Sequence, residues 1–186
     1  MNTLIIYAHP WEGSFNYHVL DVVKTKLQEK GHTIDLIDLN KDGFNPVMRP
    51  VDLRYFGKGV YADPLAENYA NRLKKAEEII FIFPIWWYSE PAILKGFFDK
   101  VLLKGHTYEQ VGQELRGMLK VKRSAVFTSG EITKEIFAYL GDPIQNVFIN
   151  GTLKMVGIEN TTWIHCSTVH DEAARSEYLD EVKAYL

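Results

Sequence analysis

The sequence is poor in cysteine and in spaced metal ligands. Cys166 is the only cysteine among 186 residues, so the chain can form no intramolecular disulfide, cysteine-rich zinc site or CxxC redox pair. The six histidines show neither an HExxH motif nor another close spacing of ligands, and we therefore predict no metal site. A single thiol is typical of proteins from a reducing compartment, so a cytoplasmic location is expected.

Strong charge and long apolar runs are also missing. The formal charge of −3 comes from 24 acidic and 21 basic residues, which gives no basic field to attract nucleic acid or anionic lipid. No stretch approaches ~18 consecutive apolar residues, and the apolar run after Met1 has no basic leader. We therefore predict no nucleic-acid partner and no membrane-spanning segment.

The common nucleotide and hydrolase motifs are absent as well. No GxGxxG follows the first apolar run, and no GxxxxGK[ST] occurs anywhere, which disfavours a Rossmann dinucleotide site and a P-loop kinase. There is no GxSxG elbow, and Ser129 lacks a His–Asp set in the expected order. A hydrolase is therefore only a weak alternative hypothesis for this chain.

What is present is an alternation of strand and helix patterns. With 186 residues, 46% of them hydrophobic, the chain can build one sizeable core, so residues 1–186 are expected to form one domain. The predicted strands are 3–8, 33–39, 78–83, 121–127 and 160–166, and the predicted helices are 15–27, 63–73, 91–103, 134–156 and 171–185. This order predicts a parallel, doubly wound α/β sheet of flavodoxin-like or Rossmann-like order.

Two segments are irregular in this pattern. The helical stretch 134–156 is interrupted at Gly141-Asp142-Pro143 and at Gly151, so two shorter helices are expected there. Residues 40–62 contain three glycines and two prolines and are interpreted as a functional or oligomer-facing loop.

The most informative segment joins a buried strand, an aromatic loop and a helix. The run 78–83 is apolar without alternation, as in a strand covered on both faces. Pro84 ends the strand, and Pro91 suits the first turn of the next helix. Between them lie Ile85, Trp86, Trp87 and Tyr88. Open α/β sheets bind ligands at the carboxyl ends of their strands, so these aromatic residues predict a shelf for a flat cofactor.

Two other strand ends carry polar groups. After the first strand come His9, Ser14, Phe15 and Asn16, where the next helix begins, and a helix amino terminus with small polar side chains is an anion site. Ser14 alone is also an ordinary helix cap, and His9 alone is also a packing residue.

Thr128, Ser129 and Gly130 follow the fourth strand. Their hydroxyls and amides suit the polar edge of a flat ring, although such a tripeptide alone is also a simple turn. An anion site, an aromatic shelf and a polar clamp on one rim together predict a phosphorylated planar cofactor.

These segments resemble the flavodoxin-fold NAD(P)H:quinone oxidoreductases, a family that includes mammalian quinone reductase, bacterial modulators of drug activity and the flavoproteins of potassium efflux systems. The resemblance spans nearly the whole chain and is carried by Ala8-His9-Pro10, Ser14-Phe15-Asn16, Phe83 through Tyr88 and Pro91 through Val101. It implies a flavodoxin-like three-layer sandwich with a five-stranded parallel sheet, a bound flavin, NAD(P)H as co-substrate and a homodimer.

The resemblance also implies residue roles. His9, Ser14, Phe15 and Asn16 would hold the phosphate side of the flavin. Pro84, Ile85, Trp86, Trp87 and Tyr88 would hold the ribityl chain and ring, and Thr128, Ser129 and Gly130 would flank its pyrimidine edge. Trp86, Trp87 and Tyr88 are also expected to form the wall against which nicotinamide and acceptor stack in turn, with Trp87 and Tyr88 as catalytic residues.

The sequence departs from the family in two ways. The family often carries a tyrosine and a histidine after this turn for charge relay, whereas no histidine occurs here between His106 and His165, and Tyr139 is the displaced candidate. The long carboxyl-terminal extension of the mammalian enzyme is missing, which favours FMN over FAD.

The leading hypothesis is ping-pong hydride transfer from NAD(P)H through flavin N5 to a quinone-like acceptor, with two-electron reduction. A regulatory flavoprotein in peripheral contact with a membrane transporter is the alternative. A one-electron carrier is a third reading, but the strongly acidic surface typical of one is absent.

Overall fold

The computed structural model describes all residues, 1–186, and is built on two sheets. In chain order the strands are β1 (Asn2–Tyr7), β2 (Thr33–Asp38), β3 (Glu78–Pro84), β4 (Tyr108–Val111), β5 (Glu114–Gly117), β6 (Arg123–Ser129) and β7 (Thr161–Cys166). Five of them form a parallel sheet in the order β2-β1-β3-β6-β7, and β4 pairs with β5 as a separate antiparallel hairpin. This is the flavodoxin-like order, and the predicted fold class is confirmed.

Helices cover both faces of the parallel sheet. They are α1 (Phe15–Glu29), α2 (Pro50–Phe56), α3 (Pro64–Lys75), α4 (Ala92–Val101), α5 (Lys134–Tyr139) and α6 (Glu172–Tyr185), with a π-helix (Ile144–Leu153) and a short 3-10 turn (Lys154–Val156) before β7. No helix is both long and apolar enough to cross a membrane.

The core is divided by the sheet into two layers. All seven residues of β3 are buried, because this central strand is covered on both faces. On one face Val19 and Val23 of α1 pack with Val182 of α6. On the other face Tyr69 of α3 and Phe97 of α4 belong to the larger cluster. Burial on both sides explains why β3 reads as a continuous apolar run.

Strand β6 spans Arg123–Ser129, whereas the sequence predicted a strand over 121–127. In β6 the register starts with Arg123 opposite Glu78 and ends with Ser129 opposite Pro84. The strand is therefore bounded by its pairing with β3, not by where the apolar run begins.

The irregular segment 40–62 contains a helix that the sequence pattern did not predict. Helix α2 starts at Pro50, and the Asp52 carboxylate accepts from Arg49 N at 2.8 Å. The start of the segment is fixed to α4, because the buried Lys100 ammonium donates to Asn45 O at 2.9 Å. A Cβ on Gly96 would lie 2.4 Å from Pro46 O, so only glycine allows this close approach.

Two further features differ from the sequence prediction. The β4–β5 hairpin was missed because its strands are mostly exposed and lack apolar alternation. The break at Gly141 does end α5, but no break occurs at Gly151, since the π-helix runs through it. Within that helix the Thr152 hydroxyl also donates to Val147 O at 3.3 Å, five residues earlier.

Candidate active site at the carboxyl ends of the strands

The loops that follow β1, β3 and β6 begin side by side. Ala8 N donates to Ile82 O at 3.1 Å, and Ile85 N donates to Ser129 O at 2.8 Å. These bonds extend the parallel ladder by one residue beyond each strand and bring the three loops together. The loops enclose a surface cleft of about 380 Å³, a volume within the range of small-molecule sites.

The cleft contains most of the residues that the sequence suggested for a cofactor. Nine of them line it: His9, Ser14, Phe15, Asn16, Pro84, Ile85, Trp86, Ser129 and Gly130. Four lining residues were not foreseen: Trp11, Glu131, Val169 and His170. Trp87, Tyr88, Thr128 and Tyr139 do not line the cleft.

One end of the cleft is the amino terminus of α1. The Ser14 hydroxyl caps the helix by accepting from Tyr17 N at 3.1 Å, so the ordinary capping role of Ser14 is present. The backbone N–H groups of Phe15 and Asn16 donate no hydrogen bond within the chain. Free N–H groups at a 15-residue helix start create a favourable place for an anion.

His9 lies at the same end of the cleft. Its Nδ1 is 3.1 Å from Trp11 N and 3.3 Å from Trp11 O, and neither contact uses Nε2. Burial lowers the pKa of His9, which favours the neutral ring. The ring packs edge-on to Trp86, with centroids 6.0 Å apart, and thereby links the anion end of the cleft to the aromatic loop.

Asn16 lies at the floor of the cleft with one half of its amide unpaired. The side chain is 4% exposed, and its Nδ2 donates to Ser129 Oγ at 2.9 Å. Its Oδ1 is buried and has no hydrogen-bond partner. Turning the amide over would only leave the nitrogen unpaired instead. A buried polar atom without a partner is costly, so this one indicates a ligand with a hydroxyl or N–H group at that point.

Gly130 lines the cleft, although its own geometry does not require glycine. Its backbone does not adopt a left-handed φ, and a Cβ built there would make ordinary contacts with Ile85 Cβ, at 3.5 Å, and His165 Cε1, at 3.8 Å.

Thr128 lies below the cleft, in a hydrogen-bonded chain of side chains. Its hydroxyl accepts from Trp163 Nε1 and is bonded to His165 Nδ1, both at 2.8 Å. The other ring nitrogen, His165 Nε2, is 2.9 Å from Ile132 O. His165 was missed in the sequence because it lies far from the motifs. Its register opposite Thr128 in the β6–β7 pair reveals it.

The aromatic loop makes a tight turn at Trp86–Ser89. Two backbone hydrogen bonds join Trp86 and Ser89, at 3.0 and 3.1 Å. The two central residues, Trp87 and Tyr88, have φ of 50° and 66°, the signs found in a type I′ turn. That turn usually contains Asn or Gly, so these aromatic residues are held in a strained backbone conformation. Trp87 is 92% exposed and Tyr88 41% exposed.

Tyr139 is the last residue of α5, and it is 89% exposed. Its side chain makes no hydrogen bond in the chain. The α5 residue that contacts His165 is Phe137, whose ring centroid is 5.2 Å from that of His165. Within this chain, Tyr139 is therefore not part of the cleft or of the His165 cluster.

Fold and cleft together define a class of protein. A parallel sheet of order 2-1-3-6-7, with an anion site after its first strand and an aromatic loop after its third, is the architecture of flavodoxin-type cofactor-binding proteins. The sequence model of the family Flavodoxin_2, described as a flavodoxin-like fold, matches residues 1–186. The chain therefore belongs to this family.

Named relatives refine the comparison. An uncharacterized NAD(P)H oxidoreductase of Haemophilus influenzae is 29% identical over 97% of this chain and 91% of its own length. A ribosyldihydronicotinamide dehydrogenase [quinone] of Pongo abelii is 31% identical over 74% of this chain and 67% of its own length. A solved NAD(P)H:quinone oxidoreductase from Methanothermobacter marburgensis is 26% identical, covers 99% of this chain and 96% of its own, and has a TM-score of 0.89. The resemblance to the flavodoxin-fold NAD(P)H:quinone oxidoreductases is confirmed.

Proposed function

We propose that this protein is a flavin-dependent NAD(P)H:quinone oxidoreductase whose flavin-binding domain comprises residues 1–186. The observation that carries the proposal is the unpaired, buried Oδ1 of Asn16 in a cleft between a helix amino terminus and an aromatic loop. The names of the relatives support NAD(P)H as the donor and a quinone as the acceptor. NAD(P)H as co-substrate is consistent with a cytoplasmic reaction.

The phosphate of the flavin would lie at the start of α1. Phe15 and Asn16 offer free backbone N–H groups, and the Nε2–H form of His9 would add a third donor. The Ser14 hydroxyl accepts from Tyr17 N, so its own proton is still available to donate to a phosphate oxygen. Several N–H and O–H donors converge on one anion in this arrangement, which the helix dipole also favours.

The ribityl chain would cross the floor of the cleft. A ribityl hydroxyl donating to Asn16 Oδ1 supplies the partner that this atom lacks. Ile85 and Trp86 would flank the ring, and Gly130 would let its edge approach the main chain.

The backbone donors at the pyrimidine edge would come from residues after Gly130. Gly130 N is already bonded to Cys166 O at 3.0 Å. In contrast, the N–H groups of Glu131, Ile132 and Thr133 donate no hydrogen bond within the chain. Glu131 lines the cleft, so this loop has N–H groups available to stabilise negative charge on the ring.

A bound flavin would supply ping-pong chemistry, accepting a hydride at N5 from NAD(P)H and then passing two electrons to the acceptor. The residues of this chain would orient the reactants and exclude water. Trp87 and Tyr88 are projected from the strained turn beside the cleft, which suits them as the wall for nicotinamide and then the acceptor. Tyr139 is assigned no proton transfer, because it is exposed at the end of α5.

FMN is our first choice of flavin, since the cleft of about 380 Å³ is near the lower end of small-molecule sites. FAD is the alternative. A neighbouring cleft of about 470 Å³ shares Ser14, Phe15 and Val169 with the first and is also lined by His18 and Arg175. The adenylate part of FAD would have to occupy that second cleft.

A homodimer completes the proposal. The segment 50–61 includes exposed Val51 and Leu53 on α2, together with Arg54, Tyr55 and Phe56, a composition that suits the core of an interface. Tyr61 is less available, because its hydroxyl donates to Val101 O at 2.8 Å. Light scattering at micromolar concentration should give the mass of two chains. A monomeric mass with full activity would remove the dimer from the account.

Steady-state turnover tests the proposed function. The purified protein, with NADH or NADPH and a panel of quinones, should oxidise the nicotinamide and reduce the quinone with parallel, double-reciprocal lines. Free FMN at the same concentration is the control for protein-independent chemistry. A rate no higher than that of free FMN with every donor and quinone would reject the oxidoreductase. Capture of the active protein by a transporter in a membrane pull-down would support the regulatory alternative.

A further inference from the structure

His165 occupies a half-buried position on β7, beside Thr128 of β6 and the loop that follows β6, and it has no role so far in the proposed function. Its Nδ1 is 2.8 Å from Thr128 Oγ1, and its Nε2 is 2.9 Å from Ile132 O. Ile132 belongs to the loop between β6 and α5, whose preceding residues, Gly130 and Glu131, line the cleft. The imidazole therefore joins the sheet to the loop that forms one wall of the cleft.

The hydrogen-bonded neighbours of His165 specify its protonation state. A carbonyl only accepts, so Nε2 donates to Ile132 O. Trp163 Nε1–H only donates, so the Thr128 hydroxyl accepts from it and donates its own proton to Nδ1. Every donor then has an acceptor when the ring is neutral with its proton on Nε2.

Adding a second proton would disrupt this arrangement. Nδ1 would then donate to Thr128 Oγ1, which already accepts from Trp163, and the hydroxyl proton of the fully buried Thr128 would lose its acceptor. The neighbouring rings of Phe137 and Trp163 carry no charge to offset a cation. Lys134 is the charged group that acts on the ring, and its charge also opposes a positive ring. Burial lowers the pKa of His165, and the charge of Lys134 acts in the same direction.

We infer that His165 is a positioning residue for the cofactor: its Nε2–H fixes the loop 130–133 against the cleft, so that losing this hydrogen bond weakens flavin binding. This inference rests on the proposed function. The residue does not line the cleft, so it acts through the carbonyl of Ile132 and not by touching the flavin.

Two substitutions separate the two hydrogen bonds of the ring. In His165→Gln the amide nitrogen lies near the position of Nε2 and can still donate to Ile132 O. In His165→Asn the shorter amide reaches only the position of Nδ1, beside Thr128, and the link to the loop is lost. FMN affinity, measured by quenching of flavin fluorescence at pH 7.5, should be within about threefold of wild type for Gln and roughly tenfold weaker for Asn.

The comparison of the two variants distinguishes positioning of the loop from a general effect on stability, because both lose the imidazole and only His165→Gln keeps a donor to Ile132 O. Equal affinity of the Gln and Asn variants for FMN would overturn the inference.

A measurement on the wild type covers the case in which a variant does not fold. Ring-nitrogen chemical shifts at pH 7 should show a proton on His165 Nε2, and a neutral ring with its proton on Nδ1 would also overturn the inference. The test of the proposed function is separate from the test of His165. If wild-type protein binds neither FMN nor FAD at pH 7.5, the flavin proposal fails, whatever the tautomer of His165.

Discussion

Asn16 and Ser129 are 113 residues apart in the sequence and hydrogen-bonded in the fold, with Nδ2 donating to Oγ at 2.9 Å. The bond joins the amino terminus of α1 to the carboxyl end of β6. It leaves Asn16 Oδ1 buried and unpaired inside the cleft. One side chain therefore both holds the two ends of the proposed flavin site together and offers an acceptor to the ligand.

We expect Asn16→Ala to weaken flavin binding roughly ten- to hundredfold, because it removes both the link to Ser129 and the acceptor Oδ1. The matched control is Ser129→Ala, which removes the link and keeps the acceptor, and its loss should be clearly smaller. Isothermal titration with FMN would measure both. If Ser129→Ala is as damaging as Asn16→Ala, Oδ1 makes no contact with the flavin.

The strained turn predicts a difference between two substitutions at Trp87. Both Trp87→Gly and Trp87→Ala remove an indole that is 92% exposed, but only glycine adopts φ near 50° without cost. The glycine protein should therefore be more stable than the alanine protein by about 1 kcal/mol. Urea unfolding would measure this difference. An alanine protein of equal or greater stability would show that the turn relaxes and stores no strain.

Hydride transfer should depend more on the aromatic turn than on Tyr139. Replacing Trp87 or Tyr88 with alanine should slow reduction of the bound flavin by NAD(P)H about tenfold or more, since small misplacements of a hydride donor are costly. Tyr139→Phe should leave the rate within about twofold, because the exposed hydroxyl contributes no proton transfer. Stopped-flow absorbance of the bound flavin would measure the reduction rates of these variants. A Tyr139→Phe protein slower than both alanine proteins would assign the charge relay to Tyr139.

Stability at acid pH should depend on the pair Arg49–Asp52. The hydrogen bond from Arg49, at 2.9 Å, lowers the pKa of Asp52 from 3.8 to about 2. A lowered pKa in the folded state adds stability above pH 4, and that stability is lost as the pH falls from about 4 to about 2.

Because Arg49 is 42% exposed and solvent screens the pair, we expect a loss of only roughly 1 kcal/mol over this interval. The matched variant is Asp52→Asn, which should show none of this loss. Unfolding free energies at pH 5 and pH 2.5 would test it, and parallel changes in wild type and variant would remove Asp52 as the cause.

The parallel sheet was predictable because its buried strands have apolar sequences. Residues 78–83 read as a continuous apolar run because β3 is covered on both faces, and the helices between the strands have clear periodicity. Where burial is weak, the prediction was incomplete. The β4–β5 hairpin is mostly exposed, and α2 begins from a proline and an Arg49–Asp52 bond that apolar periodicity does not reveal.

The site was predictable only in part, for a related reason. Residues adjacent to strand ends, such as His9 and Trp86, follow from the rule that ligands bind at those ends. His165 does not, because its relation to Thr128 exists only through the register of β6 and β7. Two hydrogen bonds of the site were likewise not predictable, because their partners are distant in the sequence. The Asn16 amide donates to Ser129 Oγ, and Gly130 N donates to Cys166 O.

The central claim is that the cleft between α1, the Trp86 turn and Gly130 binds a flavin. The most direct measurement is denaturation of the purified protein, after incubation with FMN and FAD and removal of the excess, followed by mass spectrometry of the released small molecule. The account predicts one FMN per chain, and about a tenth as much from Asn16→Ala at limiting flavin. Release of no flavin from the wild type would contradict the account.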